Sequence, residues 1–466
     1  MRGQKNIFSY IHMSFKKNAI LKGALALAAG TFIAKILGAL YRIPLTNLLG
    51  GEGLGLYQTV FPVYCVLLDF AGAGVPSALS KIISSYTGEE KEKYASDILK
   101  SSLILFAAIG FTGTLSMFFF SRPLAVLQGN ADAWLGYVFL SPAVVLVALL
   151  SCYRGYFQAK MNMAPTAVSQ IAEQAVKLAA GLFFAYVFMP NVPLAVGGAT
   201  LAVSISELAA LLYLLITFRV KRASGAEFYP YDRALFRSQA STVIKFTVPV
   251  TLVGIAIPFS QVIDSFIVVN LLKAYRSDAT TLYGLFSGAA NTVINLPVAL
   301  CYGIAAVAIP AVAGAKNRES GDRNAVKTLL MTLAVSLPFA LIVAATSKPA
   351  VNVLFGSLPQ SEKDVTVNLL RIMSVNVVFL SFLQTENAVL IGKNKPYFPV
   401  LSLGIGIAVK TALQIALLPI GRINIYGSAI ASIACYFTAG LINLFLITGT
   451  RIKNADKRAD NRECAG

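Results

Sequence analysis

Apolar runs long enough to cross a membrane, broken by short charged or Gly/Pro-rich segments, recur along the whole chain. They fall near residues 21–43, 56–82, 98–120, 135–153, 165–188 and 195–219, then near 243–270, 282–313, 325–346, 366–391, 397–419 and 426–448. A helix of about 20 apolar residues crosses a hydrocarbon core of about 30 Å, so each run predicts one transmembrane helix. The longest polar connection, 220–242 (VKRASGAEFYPYDRALFRSQAST), separates six spans from six. The pattern predicts an all-α integral membrane protein of about twelve helices in two six-helix lobes. Its parts are a basic N-terminus (1–20), a first lobe (21–219), the linker (220–242), a second lobe (243–448) and a basic tail (449–466).

The cations set the orientation. Of the 39 Lys and Arg residues, 28 lie in the N-terminus, the tail and the even-numbered connections. The opposite side has only Arg42, Arg122, Lys273, Arg276, Lys348, Lys363 and Arg422, and Lys35, Lys177, Arg371 and Lys410 fall inside spans. Cytoplasmic loops are the cation-rich ones. Both termini are therefore expected in the cytoplasm, and the chain in the cytoplasmic membrane.

The halves resemble each other. Residues 167–179 (AVSQIAEQAVKLA) align with 400–412 (VLSLGIGIAVKTA) at an offset of 233, matching Ser169 with Ser402, Ala175 with Ala408, Val176 with Val409, Lys177 with Lys410 and Ala179 with Ala412. That offset is half the chain and places the fifth span on the eleventh. Six spans per repeat is an even number, so the repeats run parallel about an axis along the membrane normal. A pair of bundles so related has a cleft between them and can rock about it, which makes alternating access the expected mechanism.

Composition removes other classes. The chain is 56% hydrophobic and 13% charged, against roughly 45–50% and about 25% in soluble domains. That excludes an ordinary soluble enzyme. A net charge of +18 does not point to nucleic acid, because the cations lie in short segments between apolar runs and form no solvated basic face. Cys65, Cys152, Cys301 and Cys435 stand alone at or within apolar runs and Cys464 in the tail, so no CxxC pair exists. His12, in NIFSYIHMSFKKN, is the single histidine and suits an interfacial position. A Ser-His-Asp triad, an HExxH site or a multi-histidine metal site cannot be assembled from one histidine. No catalytic residue, metal or cofactor is expected.

Charges inside the spans are the candidate functional residues. An ionisable group at mid-helix costs about 2.5–3.5 kcal/mol on insertion scales and usually faces a cavity or a partner. Lys35 and Arg42, two turns apart, share one face of the first span and could hold an anionic head group. Glu173 and Lys177 are spaced i, i+4 in the favourable order, the spacing of a local ion pair. Lys410 is the repeat equivalent of Lys177 but has Gly406 where Glu173 stands, which marks it as a cavity cation. Lys35, Arg42, Lys177 and Lys410 are thus the candidate substrate contacts. Asp69, Glu173, Glu207 and Asp264 are candidates for coupling or structural charge, Asp264 and Glu207 in particular for proton or cation coupling. Arg371 and Glu386 lie near opposite ends of the tenth span, where snorkelling explains them as well as function does. Pro249 and Pro258 in the seventh span, and Pro297, Gly303 and Pro310 in the eighth, are candidate hinges.

The segments AKILGALYRIPLTNLLGGEGLGLYQ (34–58), RGYFQAKMNMAPTAVSQIAEQ (154–174), NLPVALCYGIAAVAIPAVA (295–313) and VLIGKNKPYFP (389–399) resemble the polysaccharide flippase branch of the multidrug/oligosaccharidyl-lipid/polysaccharide (MOP) exporter superfamily, near its stage V sporulation protein B-like and lipid II flippase-like members. The resemblance implies two six-helix lobes in a V around a central cavity, and export of an undecaprenyl-diphosphate-linked glycan or peptidoglycan precursor to the outer leaflet. It places Lys35 and Arg42 where lipid II flippases carry cavity arginines. Those flippases have an arginine ahead of the Leu-Pro of the eighth helix, where this chain has Asn291 and Thr292 before Leu296 and Pro297. A sporulation or capsule glycan is as open as lipid II. The implied partners are the polyprenyl-diphosphate-linked glycan, membrane lipid and enzymes of cell-wall or capsule synthesis, with no nucleic acid. The alternative is a cation-coupled multidrug exporter of the same fold. A membrane glycosyltransferase fits poorly, since no connection exceeds about 25 residues.

Overall fold

The computed structural model describes residues 2–86, 90–223, 236–315 and 317–463, without the side chains of residues 2–26, 28, 90–91, 221–223, 249, 253, 318 and 449–463. Most of the expected linker, Cys464 and the side chains of His12 and of the basic ends lie outside the described set. Among the described residues every regular element is helical.

The first, α1, runs from Arg2 to Leu68, 67 residues. At 1.5 Å per residue an unbroken helix of that length would extend about 100 Å, some three hydrocarbon thicknesses. Gly50 divides it: at φ 67° and ψ −177° it leaves helical geometry in a region open to a residue without Cβ. The loop expected over 44–55 is therefore a correction. The apolar stretch through Leu48 and Leu49 stays helical, and one glycine makes the break.

A π-helical segment, Asp69–Ala73, follows, then α2 (Val75–Ser84), α3 (Glu90–Phe119), α4 (Ser121–Leu127), α5 (Trp134–Ala159), α6 (Ala164–Phe188), α7 (Val192–Ala223) and α8 (Phe236–Lys273). The eighth span opens with α9 (Ala279–Tyr283), passes through a second π-helical segment, Gly284–Ala290, and continues as α10 (Asn291–Ala313). The remaining helices are α11 (Arg318–Leu354), α12 (Gln360–Gly392), α13 (Tyr397–Leu417) and α14 (Tyr426–Glu463). Eleven helical segments are long and apolar enough to cross a membrane, and the first of them, Ala29–Ser84, holds two spans. With that segment, 56 residues long and broken at Gly50, taken as two, the described residues accommodate about twelve spans.

The repeat is visible in backbone detail. After α5, Met161 takes φ 57°, and after α12, Asn394 takes φ 60°; the two are 233 residues apart. Around Met161 the amides of Lys160, Met161 and Asn162 donate to the carbonyls of Tyr156, Gln158 and Phe157; around Asn394 those of Lys393, Asn394 and Lys395 donate to Val389, Ile391 and Leu390. Every partner differs by the same 233. The lysines behave alike too: Lys160 pairs with Glu92 at the start of α3, and Lys393 with Asp322 at the start of α11.

The chain divides into two units. One takes in Met1–Tyr41, Val63–Leu124 and Asp132–Ile255, the other Arg42–Pro62, Ala125–Ala131 and Ala256–Gly466. Within the first, α5 packs against α2, α3, α6 and α7; within the second its repeat equivalent, α12, packs against α10, α11, α13 and α14. These two helices carry the most enclosed spans of the chain. Glycines bring backbones together inside the second unit. A Cβ on Gly55 would overlap the Thr280 carbonyl oxygen, one on Gly284 the Gly51 carbonyl oxygen, and one on Gly288 the Leu54 side chain. Asn130 donates to the Thr59 hydroxyl and accepts from Thr280 beside this seam.

Candidate functional site

In the first unit, α1 and α6 meet along a row of small and amide-bearing residues. A Cβ on Gly30 would lie 2.6 Å from that of Ala167, one on Gly38 3.1 Å from the Gln174 amide oxygen, and one on Gly181 2.6 Å from the Tyr41 hydroxyl. The Thr31 hydroxyl donates to the Gln170 amide oxygen at 2.9 Å. Residues three and four apart share a helical face, so Thr31, Lys35 and Gly38 form one stripe of α1, and Gln170, Glu173, Gln174 and Lys177 one stripe of α6. Lys35 sits between the rungs made by Thr31 and Gly38, and it is exposed; Lys177 is half-buried. Seven residues beyond Lys35 on the same helix, Arg42 is half-buried with its guanidinium 5.6 Å from the centre of the Phe61 ring.

Glu173 has a partner that its spacing does not suggest. Its carboxylate is bonded to the Arg154 guanidinium at 2.9 Å and accepts from the Gln174 amide at 2.7 Å, while Arg154 Nε donates to the Ser169 hydroxyl at 3.0 Å. Spacing along α6 names Lys177 for this carboxylate; the structure adds Arg154 from α5. It also moves Arg154 from a connection into α5, where the guanidinium's fork of donors reaches two groups at once. Glu207 on α7 is 4% exposed; one carboxylate oxygen accepts from the Tyr64 hydroxyl at 3.3 Å and the other has no protein donor. It feels the charges of Glu173, Arg154 and Lys177. Along the α1–α6 row itself stand Lys35, Lys177 and Glu173, with Arg154 on α5 and Glu207 on α7 beside them.

Asp69 opens the first π-helical segment, half-buried, and a Cβ on Gly254 of α8 would lie 3.6 Å from its carboxylate. π-Segments mark functional or strained places in helices. The hinge candidates stand in continuous helix: α8 runs unbroken through Pro249 and Pro258, and α10 through Pro297, Gly303 and Pro310. The departure from α geometry in the eighth span comes earlier, at Gly284–Ala290.

In the second unit Lys410, read from the sequence as a cation without a local partner, has one from another helix. Its ammonium lies 2.5 Å from Asp264 Oδ2 and 3.2 Å from the Ser260 hydroxyl, and Gln414 donates to Asp264 Oδ1 at 2.8 Å. The Lys410 and Asp264 side chains are only 6% and 7% exposed. A cavity of about 30 Å³, one water in size, adjoins the pair and is lined by Ser287, Asn291, Ser432 and Cys435 among others. Spacing could not reveal this pair, since its members are 146 residues apart. Arg371 is exposed and donates to the Ser347 hydroxyl at 3.2 Å. Glu386 does not snorkel: it is 0% exposed, and neither carboxylate oxygen has a protein partner.

Comparison with known proteins agrees with this architecture. A family model described as "Polysaccharide biosynthesis protein" matches residues 20–316, and a second, MatE, matches 249–415. The lipid II flippase MurJ of Bacillus subtilis (strain 168) is 25% identical over 450 residues, covering 92% of this chain and 82% of that protein. Stage V sporulation protein B of the same organism is 25% identical over 427 residues, covering 89% and 81%. A solved structure of a multidrug resistance MATE family transporter of the MOP superfamily, in an inward-facing conformation, superposes with a TM-score of 0.77 at 16% identity over 91% of this chain and 96% of that one. That likeness speaks for the fold. With a family model spanning well over half its length, the chain belongs to the polysaccharide biosynthesis protein family.

Proposed function

We propose that this multi-pass membrane protein moves a polyprenyl-diphosphate-linked glycan precursor from the inner to the outer leaflet of the cytoplasmic membrane by alternating access. One observation carries the reading: α1 and α6 meet along a row in which an exposed Lys35 and a half-buried Lys177 stand among the Thr31 hydroxyl and the Gln170 and Gln174 amides. Exposed cations on a span are costly unless an anion meets them. A diphosphate head group is such an anion, and it cannot cross about 30 Å of hydrocarbon unaided. Lys35 and Lys177 engage the diphosphate, the amides of Gln170 and Gln174 suit sugar hydroxyls, and the prenyl tail remains in lipid; Arg42 is a further cation for the head group along the transfer route. Lys410 serves as a fixed counter-ion to Asp264. The flippase and sporulation relatives support this cargo class, and enzymes of cell-wall or capsule synthesis supply and consume it. The cation-rich side of the chain supports a cytoplasmic position for both termini.

The test uses the purified chain in vesicles with a fluorescent polyprenyl-diphosphate glycan, read by quenching of the outer leaflet. Transfer is expected, with loss in Lys35→Ala and Arg42→Ala and retention in Lys410→Arg. If the wild type moves no glycan while cells expressing it lose sensitivity to organic cations, a multidrug exporter replaces this reading.

A further inference from the structure

The second unit buries more polar atoms than its own helices satisfy, and they follow one helix. Along α12, Asn376 Oδ1, Ser381 Oγ, Gln384 Oε1 and both oxygens of Glu386 are enclosed without a protein partner; Ser336 Oγ on α11, and Ser428 Oγ and Asn443 Oδ1 on α14, share that condition. Native interiors leave few such atoms, and each one calls for an explanation. From Asn376 to Glu386 is about 15 Å of helix, half a hydrocarbon core.

Glu386 is the only ionisable member of that row. On its own helix it is flanked by Thr385, whose hydroxyl meets that of Thr332 on α11 at 2.8 Å, and by Asn387, which accepts from the Asn443 amide of α14 at 2.8 Å. Opposite it stands Gly440 of α14, where an added Cβ would come 3.3 Å from Glu386 Oε2. The absence of a side chain at Gly440 makes the room the carboxyl occupies. The elements packed on α12 are α10, α11, α13, α14 and the π-segment Gly284–Ala290. Their ionisable groups within the spans are Cys301 and Tyr302 on α10, Lys327 and Lys348 on α11, Tyr397 and Lys410 on α13, and Tyr426, Cys435 and Tyr436 on α14; the π-segment has none. None of them bonds to Glu386, and Lys410 is held by Asp264. An ionised carboxylate enclosed without a cation or a donor is unstable relative to its acid.

The geometry points to Glu386 as a proton-binding site, loaded in this conformation. Binding is the reversible union of one proton with the carboxylate, with no other bond made or broken. The inference builds on the transporter reading: a proton taken up in one conformation and released in another ties the cycle to the proton gradient.

The experiment has two arms on the full chain. In the first, infrared spectra of purified protein at neutral pH are compared for the wild type, Glu386→Gln and Gly440→Ala. A protonated-carboxyl band present in the wild type, lost in Glu386→Gln and displaced in Gly440→Ala is expected. Gly440→Ala keeps the carboxyl and crowds it, so a folding failure of the Gln variant leaves the assignment testable. A wild-type spectrum without that band, or one that neither variant changes, overturns the proposal. In the second arm, vesicles with and without an imposed pH gradient are assayed with the fluorescent glycan. A gradient-dependent rate in the wild type, and an equal rate with or without gradient in Glu386→Gln, is expected; a variant as gradient-sensitive as the wild type overturns the coupling. A wild type that has the band but moves no glycan defeats the flippase reading and leaves the proton site standing.

Discussion

Removing one member of the Lys410–Asp264 pair tests the second unit most directly. Lys410→Met takes away the ammonium 2.5 Å from Asp264 and leaves a carboxylate 7% exposed with a single donor, Gln414. Breaking a buried pair from one side costs about 3–5 kcal/mol, because the remaining charge keeps its desolvation penalty without its partner. At about 2.1 cal/mol/K of unfolding entropy per residue, 466 residues amount to about 1 kcal/mol/K, so the melting point should fall by about 3–5 °C. Replacing both members by apolar residues removes the charge along with its solvation problem, and Lys410→Met/Asp264→Leu should recover most of the loss. The assay is thermal unfolding of detergent-solubilised protein followed by Trp134 fluorescence, for wild type, both single variants and the double. Additive losses in the double variant, or single variants within about 1 kcal/mol of wild type, would refute the pair as a buried, mutually dependent unit.

Other outcomes follow from particular contacts. Gly55→Ala places a Cβ on the Thr280 carbonyl oxygen; such overpacking costs about 1–3 kcal/mol, to be read as a lower melting point, whereas Gly303→Ala, with open space around it, should stay near wild type. Arg154→Lys keeps the charge but loses the fork that reaches Glu173 and Ser169 together, so it should behave more like Arg154→Gln than like the wild type in the same measurement. In the connection before α9, the bidentate bond from Arg276 holds the Asp278 carboxyl below its usual range. Its stabilisation is complete above the ordinary carboxylate pKa of about 4 and fades as pH falls through the lowered value; Asp278→Asn should therefore lower stability at neutral pH, flatten the acid limb of the profile and converge with the wild type at low pH.

The sequence made the spans legible because a membrane imposes a single demand, about twenty apolar residues at a time, and the chain meets it locally. The repeat was legible for a related reason. Its offset of 233 was carried by Ser169, Lys177 and their equivalents, and the turns at Met161 and Asn394 repeat it bond for bond. What could not be read was which charge meets which. Spacing along one helix suggested Glu173 with Lys177 but said nothing of Arg154 on α5, which Glu173 meets, or of Asp264, which Lys410 meets across 146 residues. A helix decides which residues share a face; it does not decide which neighbour that face is given. The structural equivalence of Lys177 and Lys410 sharpens the point. The same residue at the same place in two repeats is left half-buried in an amide-lined row in one and shut against a carboxylate in the other. Duplication supplied the cation twice, and the surrounding residues left one copy half-buried while the other serves as internal counter-ion. A carboxylate at position 406, restoring in the second repeat the residue that Glu173 is in the first, would have to fit where a Cβ already lies 2.6 Å from the Cys435 carbonyl oxygen. The close packing there, more than the identity of the lysine, keeps the two repeats chemically distinct.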